Sequence, residues 1–107
     1  MKNKKIISKM ITYIDKIASY CEGKQYSDFE ENTLLVEACV FNLSQLGELV
    51  NKLDANFISN NKSVPWNQMR GLRNRIVHDY EGVNLVLVWE IISADLSELK
   101  AQLNKLL

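Results

Sequence analysis

Apolar residues along this chain recur at three- and four-residue intervals and almost never alternate, which predicts helix throughout and no strand. In the first segment Ile7, Met10, Ile11, Ile14, Ile17, Ala18 and Cys21 make one continuous stripe, closed by Gly23 just past the expected helix end. A second helix is expected over most of 28–54, with Ser27 as N-cap, Glu30 completing a capping box, and a buried run through Leu35, Ala38, Cys39, Leu46, Leu49, Val50 and Leu53. Two polar residues, Asn42 and Glu48, fall close to its inward side. Gly47 lies in the same stripe, where glycine costs about 1 kcal/mol relative to alanine, so a close approach by a neighbouring element is expected there.

A polar loop around "SNNKS" precedes Pro65, which suits a first helical turn, and a third helix is predicted from there to His78 or Asp79. Gly82 is read as its stop and Asn84 as the next N-cap. The last helix then carries Leu85, Val88, Trp89, Ile92, Leu96, Leu99, Leu103 and Leu106 along one face at near-heptad spacing, with Leu87 and Ile91 left over on other faces. Four helices with short connections give an all-α, up-and-down antiparallel four-helix bundle; the seam of the last helix can be core alone or part of a homodimer interface, and the surplus apolar positions keep the second reading open. At 107 residues the chain is expected to form a single domain, 1–107, with a modest core of its own.

Charge changes this picture only locally. Lys plus Arg number 13, as do Asp plus Glu, so no global field draws the molecule to nucleic acid or to an anionic membrane. Nucleic-acid binding would have to come from a patch, and one exists: all three arginines and the only histidine fall within nine positions, Arg70, Arg73, Arg75 and His78. The two cysteines, Cys21 and Cys39, sit within apolar helical patterns and read as buried free thiols of a reducing compartment. No segment approaches the roughly 20 apolar residues of a membrane span, and the basic N-terminus lacks the apolar run and cleavage site of a leader. A cytoplasmic protein without metal or other cofactor, and not bound to membrane, is expected.

On one uninterrupted third helix, Met69, Leu72 and Ile76 face the bundle and Arg73 falls within about 40° of that direction. An arginine so placed needs a carboxylate, and Glu48 is the candidate. His78 would lie about 140° from Arg73 around the same helix, with Asn74 one i,i+4 step from His78 and Gly71 leaving room on that side for another backbone.

The stretch "RNRIVHDY", set between "FNLSQLGELVNKL" and "VNLVLVWEII", resembles the HepT-like branch of the HEPN superfamily. The resemblance covers nearly the whole chain, and its landmarks are Leu46-Gly47-Glu48, Pro65-Trp66, Arg73-Asn74, His78, Tyr80 and Trp89-Glu90. The resemblance implies a homodimeric four-helix bundle acting as a metal-independent endoribonuclease, the toxin of a HepT/MntA-type toxin–antitoxin pair. It implies catalytic roles for Arg73 and His78, with Asn74 beside them, at a cleft composed by two chains. Tyr80 matches the motif tyrosine, able to stack on a base of RNA and a candidate O-AMP-tyrosine, modified by a minimal nucleotidyltransferase antitoxin. Arg70 and Arg75 then read as RNA phosphate contacts. The chemistry is consistent: without metal, the RNA 2′-hydroxyl can attack its own phosphate if one group moves protons near neutral pH and a cation holds the phosphorane. The rival reading is an inactive dimeric module that binds RNA or docks a nucleotidyltransferase.

Overall fold

The computed structural model of the chain describes residues 1–78 and 82–107, with the His78 side chain outside the described set. The described residues are mostly helical, as expected for an all-α chain, but the helices are more numerous and shorter than the periodicity suggests. Helix α1 (Lys2–Cys21) buries Ile7, Met10, Ile14, Ile17 and Cys21, the expected stripe apart from half-buried Ile11 and exposed Ala18. It ends before Gly23, which takes a left-handed φ of 73° that a side chain would resist.

The long second helix is in fact two. Helix α2 (Tyr26–Glu31) begins two residues earlier than expected: Asp28, not Glu30, reaches back, accepting from the Gln25 backbone N–H at 2.8 Å. Asn32 then leaves helical geometry, and its side chain accepts from the Leu35 N–H at 3.0 Å to start α3 (Thr33–Val50). Along α3 the apolar stripe holds, and Asn42 is buried at 5% exposure because its amide donates to the Ala38 carbonyl of its own helix at 2.7 Å. Glu48 does not join it: the carboxylate is exposed.

By length and composition α3 could cross a membrane, so the expectation that no segment comes near a span needs correcting. Half of it is buried here, packed against α1 and the segments that follow, which accounts for its apolar character as that of a core helix.

Helices α1 and α3 run antiparallel, since Cys21 meets Cys39 at one end while Lys2 and Asn3 meet Asp54 just past the other. Asp54 accepts from Lys2 Nζ at 3.1 Å and from Asn3 Nδ2 at 3.2 Å, and these partners hold its carboxyl below the usual carboxylate range. A native pKa so depressed contributes stability above the ordinary carboxylate value and loses it as pH falls through the native one. Asp54→Asn is expected to lower the melting midpoint slightly at neutral pH, with the gap to wild type closing on acidification. A gap that persisted in acid would assign the effect to packing instead.

Where a polar loop was expected, a short helix α4 (Ala55–Asn60) forms. Trp66 anchors its far side: the indole N–H donates to the Asn61 carbonyl at 2.9 Å, and its ring sits 6.4 Å from that of Phe57. Pro65 caps the next helix from outside its first turn. The third predicted helix is likewise divided, into α5 (Trp66–Arg70) and α6 (Leu72–Ile76), and it stops two residues short of His78. The chain then makes a minimal antiparallel hairpin, β1 (Val77–His78) with β2 (Gly82–Val83).

Asn84 caps α7 (Leu85–Glu90) as expected, accepting from the Leu87 N–H at 3.1 Å. One π-helical stretch, Ile91–Asp95, follows and leads into α8 (Leu96–Asn104). The extra residue in that wide turn brings Ile91 into the core, where an unbroken α-helix would have left it on another face.

In the assembled fold α1 packs between α3 and α8, α3 lies against α5 and α6, and α2 bridges α3 to α7. The bridge is aromatic: Phe29, fully buried, lies 5.2 Å from the Trp89 ring, and Tyr26 meets the same ring edge-on at 6.4 Å.

Candidate functional site

The five residues of α5 and the five of α6 are each too short to persist alone, so their position is set by what they bury. Met69, Leu72 and Ile76 face inward, as the helical period predicts. Against them lies Gly47 of α3, where a Cβ would fall on the Met69 carbonyl oxygen. The expected close approach therefore exists, and it is made by the backbone of the very segment that carries the arginines.

Arg70, Arg73, Asn74 and Arg75 are all exposed. Arg73 does not turn toward the bundle, and no ion pair links it to Glu48, itself exposed; the ion pairs among the described residues are Lys2–Asp54 and Lys100–Asp15. Within α6 Arg73 lies about 100° from Leu72 and about 60° from Ile76 around the helix, at the flank of the inward face, from which a long side chain reaches water. An exposed guanidinium keeps its hydration, so it needs no structural carboxylate and remains available to a ligand. Among the described residues nothing comes unusually close to Gly71. The nearest atoms to a Cβ there are the Asn67 and Gln68 carbonyls of its own turn, at 3.7 and 3.8 Å.

His78 also escapes the helical construction. Val77 is already extended at φ −116° and ψ 123°, and the hairpin pairs Val77 with Val83 and His78 with Gly82, locked by the Asn84 N–H donating to the Ile76 carbonyl at 2.8 Å. The i,i+4 relation proposed between Asn74 and His78 therefore does not hold, because the helix ends between them. Gly82, expected to stop a helix, serves the hairpin with a left-handed φ of 79°. The His78 side chain and Tyr80 lie outside the described residues.

The arginines do not form one surface. Arg70 reaches back to Asn67 Oδ1 at 3.3 Å. Arg75, two positions from Arg73 and so about 200° around a helix, lines the opposite side. There it borders a cleft of about 270 Å³ between α5–α6 and the π stretch with α8, floored by Met69, Leu72 and Leu99 and flanked by Asp95 and Glu98. These two carboxylates, and the cleft itself, have no sequence signal beyond the Ile91-Ile92 doublet that marks the change of helical phase. Arg73 and Asn74, next to the strand that carries His78, are free of that acidic neighbourhood in the cleft lining.

The model of the family described as "Ribonuclease HepT-like" matches residues 10–106 of this chain. The chain belongs to the HepT-like ribonuclease family. A protein of Caldanaerobacter subterraneus subsp. tengcongensis named "Putative RNase" is 32% identical, with 89% of this chain and 91% of that one covered. A "Putative RNase" of Methanocaldococcus jannaschii is 26% identical, covering 92% of this chain and 81% of its own length. A "Probable ribonuclease HepT" of Thermococcus cleftensis is 25% identical over 87% of this chain and 84% of that one. No solved structure matches the chain significantly. The HepT-like landmarks acquire physical roles here: Gly47 admits the Met69 carbonyl, Trp66 ties down α4, and Trp89 anchors α2 to α7.

Proposed function

We propose that this chain is a metal-independent endoribonuclease toxin whose catalytic residues are Arg73, Asn74 and His78. The observation that carries the reading is the exposure of Arg73 and Asn74 on α6, in a HepT-like chain, immediately before the strand that carries His78. Among the described residues no carboxylate pairs with Arg73, which supports a role for its charge in holding phosphate.

The chemistry needs only RNA's own nucleophile. The 2′-hydroxyl loses its proton and its oxygen bonds to the adjacent phosphorus; the bond from phosphorus to the 5′-oxygen breaks, and that oxygen takes up a proton. The products are a 2′,3′-cyclic phosphate and a 5′-hydroxyl. Histidine as a side-chain type suits the proton transfers, and arginine the negative charge that gathers on the pentacoordinate phosphorus. Asn74 orients the phosphate or the imidazole. Arg70 contributes phosphate affinity without base specificity. Arg75 does so more weakly, because Asp95 and Glu98 share its cleft.

In the same reading two copies associate as antiparallel four-helix bundles, bringing motif residues of both chains to one cleft. A minimal nucleotidyltransferase acts as antitoxin, placing AMP on Tyr80, and both work in the cytoplasm. A bulky anion beside the arginines would exclude RNA by charge and volume.

The test is product chemistry in the presence of a chelator. Purified protein incubated with RNA and EDTA is expected to leave fragments ending in 2′,3′-cyclic phosphate. Intact RNA that nonetheless stays bound would support the inactive binding module instead, and fragments ending in 3′-hydroxyl would rule out the 2′-hydroxyl route.

A further inference from the structure

The two cysteine sulfurs, Cys21 Sγ at the last turn of α1 and Cys39 Sγ in the middle of α3, are in contact at 3.6 Å. The expectation of buried free thiols is met. They are each other's hydrogen-bond partner inside a largely apolar core. We propose that Cys21 and Cys39 are a redox-responsive pair that closes to a reversible intramolecular disulfide, stapling the end of α1 to α3.

Three features favour closure between these two sulfurs over other thiol chemistry. The partners already touch, so the bond needs the sulfurs to approach to about 2.05 Å without moving either helix across the core. The other end of the α1–α3 pair is held by Lys2 and Asn3 on Asp54, so the two helices are in register before any oxidation. Access is also unequal: Cys21 is 9% exposed and adjoins the turn at Gly23, whereas Cys39 is fully buried. Cys21 is thus the residue a small oxidant reaches, and Cys39 the one that resolves.

The proton arrangement agrees with these roles. The hydrogen bond between the two sulfurs, with Lys24 nearby, holds Cys21 below the usual thiol value, while the same bond and burial push Cys39 up. With hydrogen peroxide as oxidant, the Cys21 thiolate takes one peroxide oxygen to become a sulfenic acid, and the other oxygen leaves as water. The Cys39 sulfur then attacks the Cys21 sulfur and the second oxygen leaves as water. Two thiols lose two hydrogens and two electrons, and one peroxide becomes two waters. A dithiol reductant reverses the bond by exchange.

The closed loop would contain all of α2, whose Phe29 rests on Trp89 at the start of the final helix. Oxidation therefore restrains the unfolded chain across a segment of bundle assembly, independently of whether the chain cuts RNA.

The experiment treats the native full-length chain with hydrogen peroxide, then unfolds it and alkylates free thiols. The expected result is a monomer lighter by two hydrogens with no alkylated cysteine, a peptide map joining Cys21 to Cys39, and a melting midpoint raised by about 10 °C. Dithiothreitol should return all three readouts to their starting values, and Cys39→Ser should show no such shift. Two alkylated thiols after treatment, oxygen added to Cys21 without a cross-link, or a bond only between chains would each overturn the proposal. The mass and mapping results on the unmutated chain decide the matter even if Cys39→Ser fails to fold.

Discussion

Arg73→Ala is expected to cut RNA at least 100-fold more slowly than wild type while melting within about 0.5 kcal/mol of it. The two halves of this expectation test different things. Loss of rate follows if Arg73 holds the charge that gathers on phosphorus, a contact made fully only in the transition state. Unchanged stability follows because Arg73 is exposed and makes no ion pair with Glu48. A buried arginine tied to a carboxylate would give the opposite pattern, since breaking such a pair costs about 3–5 kcal/mol. His78→Ala should lose a comparable or larger factor, about 100- to 10,000-fold, as expected for removal of a group that moves protons. Gel-resolved cleavage of a labelled RNA and thermal denaturation of the same preparations measure both quantities. Wild-type cleavage by either variant would remove that residue from the catalytic assignment.

Gly47→Ala should destabilise the fold although alanine is the better helix former. The intrinsic preference favours alanine by about 1 kcal/mol, but the added methyl would occupy the space of the Met69 carbonyl oxygen. A flexible side chain could swing away, whereas a backbone oxygen moves only with its helix. Overpacking of this kind costs about 1–3 kcal/mol, and here α5 must shift bodily to relieve it. A fall of about 5–10 °C in melting midpoint is expected, accompanied by weaker RNA cleavage because Arg70 rides on the displaced helix and Arg73 on α6, which follows it directly. Gly71→Ala is the control. Its φ is negative and its nearest neighbours are at ordinary contact distance, so its midpoint should stay within a few degrees of wild type. Equal stability of Gly47→Ala and wild type would mean that α3 and α5 are less tightly apposed than the geometry indicates.

Which features could be read from the sequence follows from how each is encoded. The α1 stripe, the inward Met69, Leu72 and Ile76, and the Asn84 cap depend on residues within a turn or two of one another, and all three stand. Gly47 was legible because a lone glycine in a buried stripe has few reasons to be there. The cap of α2 was misplaced because the sequence offers two candidates at the same spacing, Gln25 with Asp28 and Ser27 with Glu30, and only tertiary packing chooses.

A periodic segment need not be one helix: the break at Asn32 preserves apolar spacing while starting a new element. Arg73 flanks the inward face at about 60° from Ile76 and about 100° from Leu72, a position from which spacing alone does not decide between burial and exposure. A hairpin with two residues in each strand has no period to detect, so the position of His78 in it was invisible. The acidic residues facing Arg75 come from a helix whose phase changes ahead of them, and no local rule joins the two.

The π stretch at Ile91–Asp95 has a wider meaning for the final helix. Without it, residues 85–104 would be one rigid rod whose two halves had to satisfy their neighbours with a single rotational setting. The wide turn acts as a clutch. The half before it is set by the aromatic cluster of α2 and by α6, the half after it by α1. A substitution that rotates either half need not be transmitted to the other, so the packing of Trp89 on α2 and that of Leu99 and Leu103 in the core can vary separately.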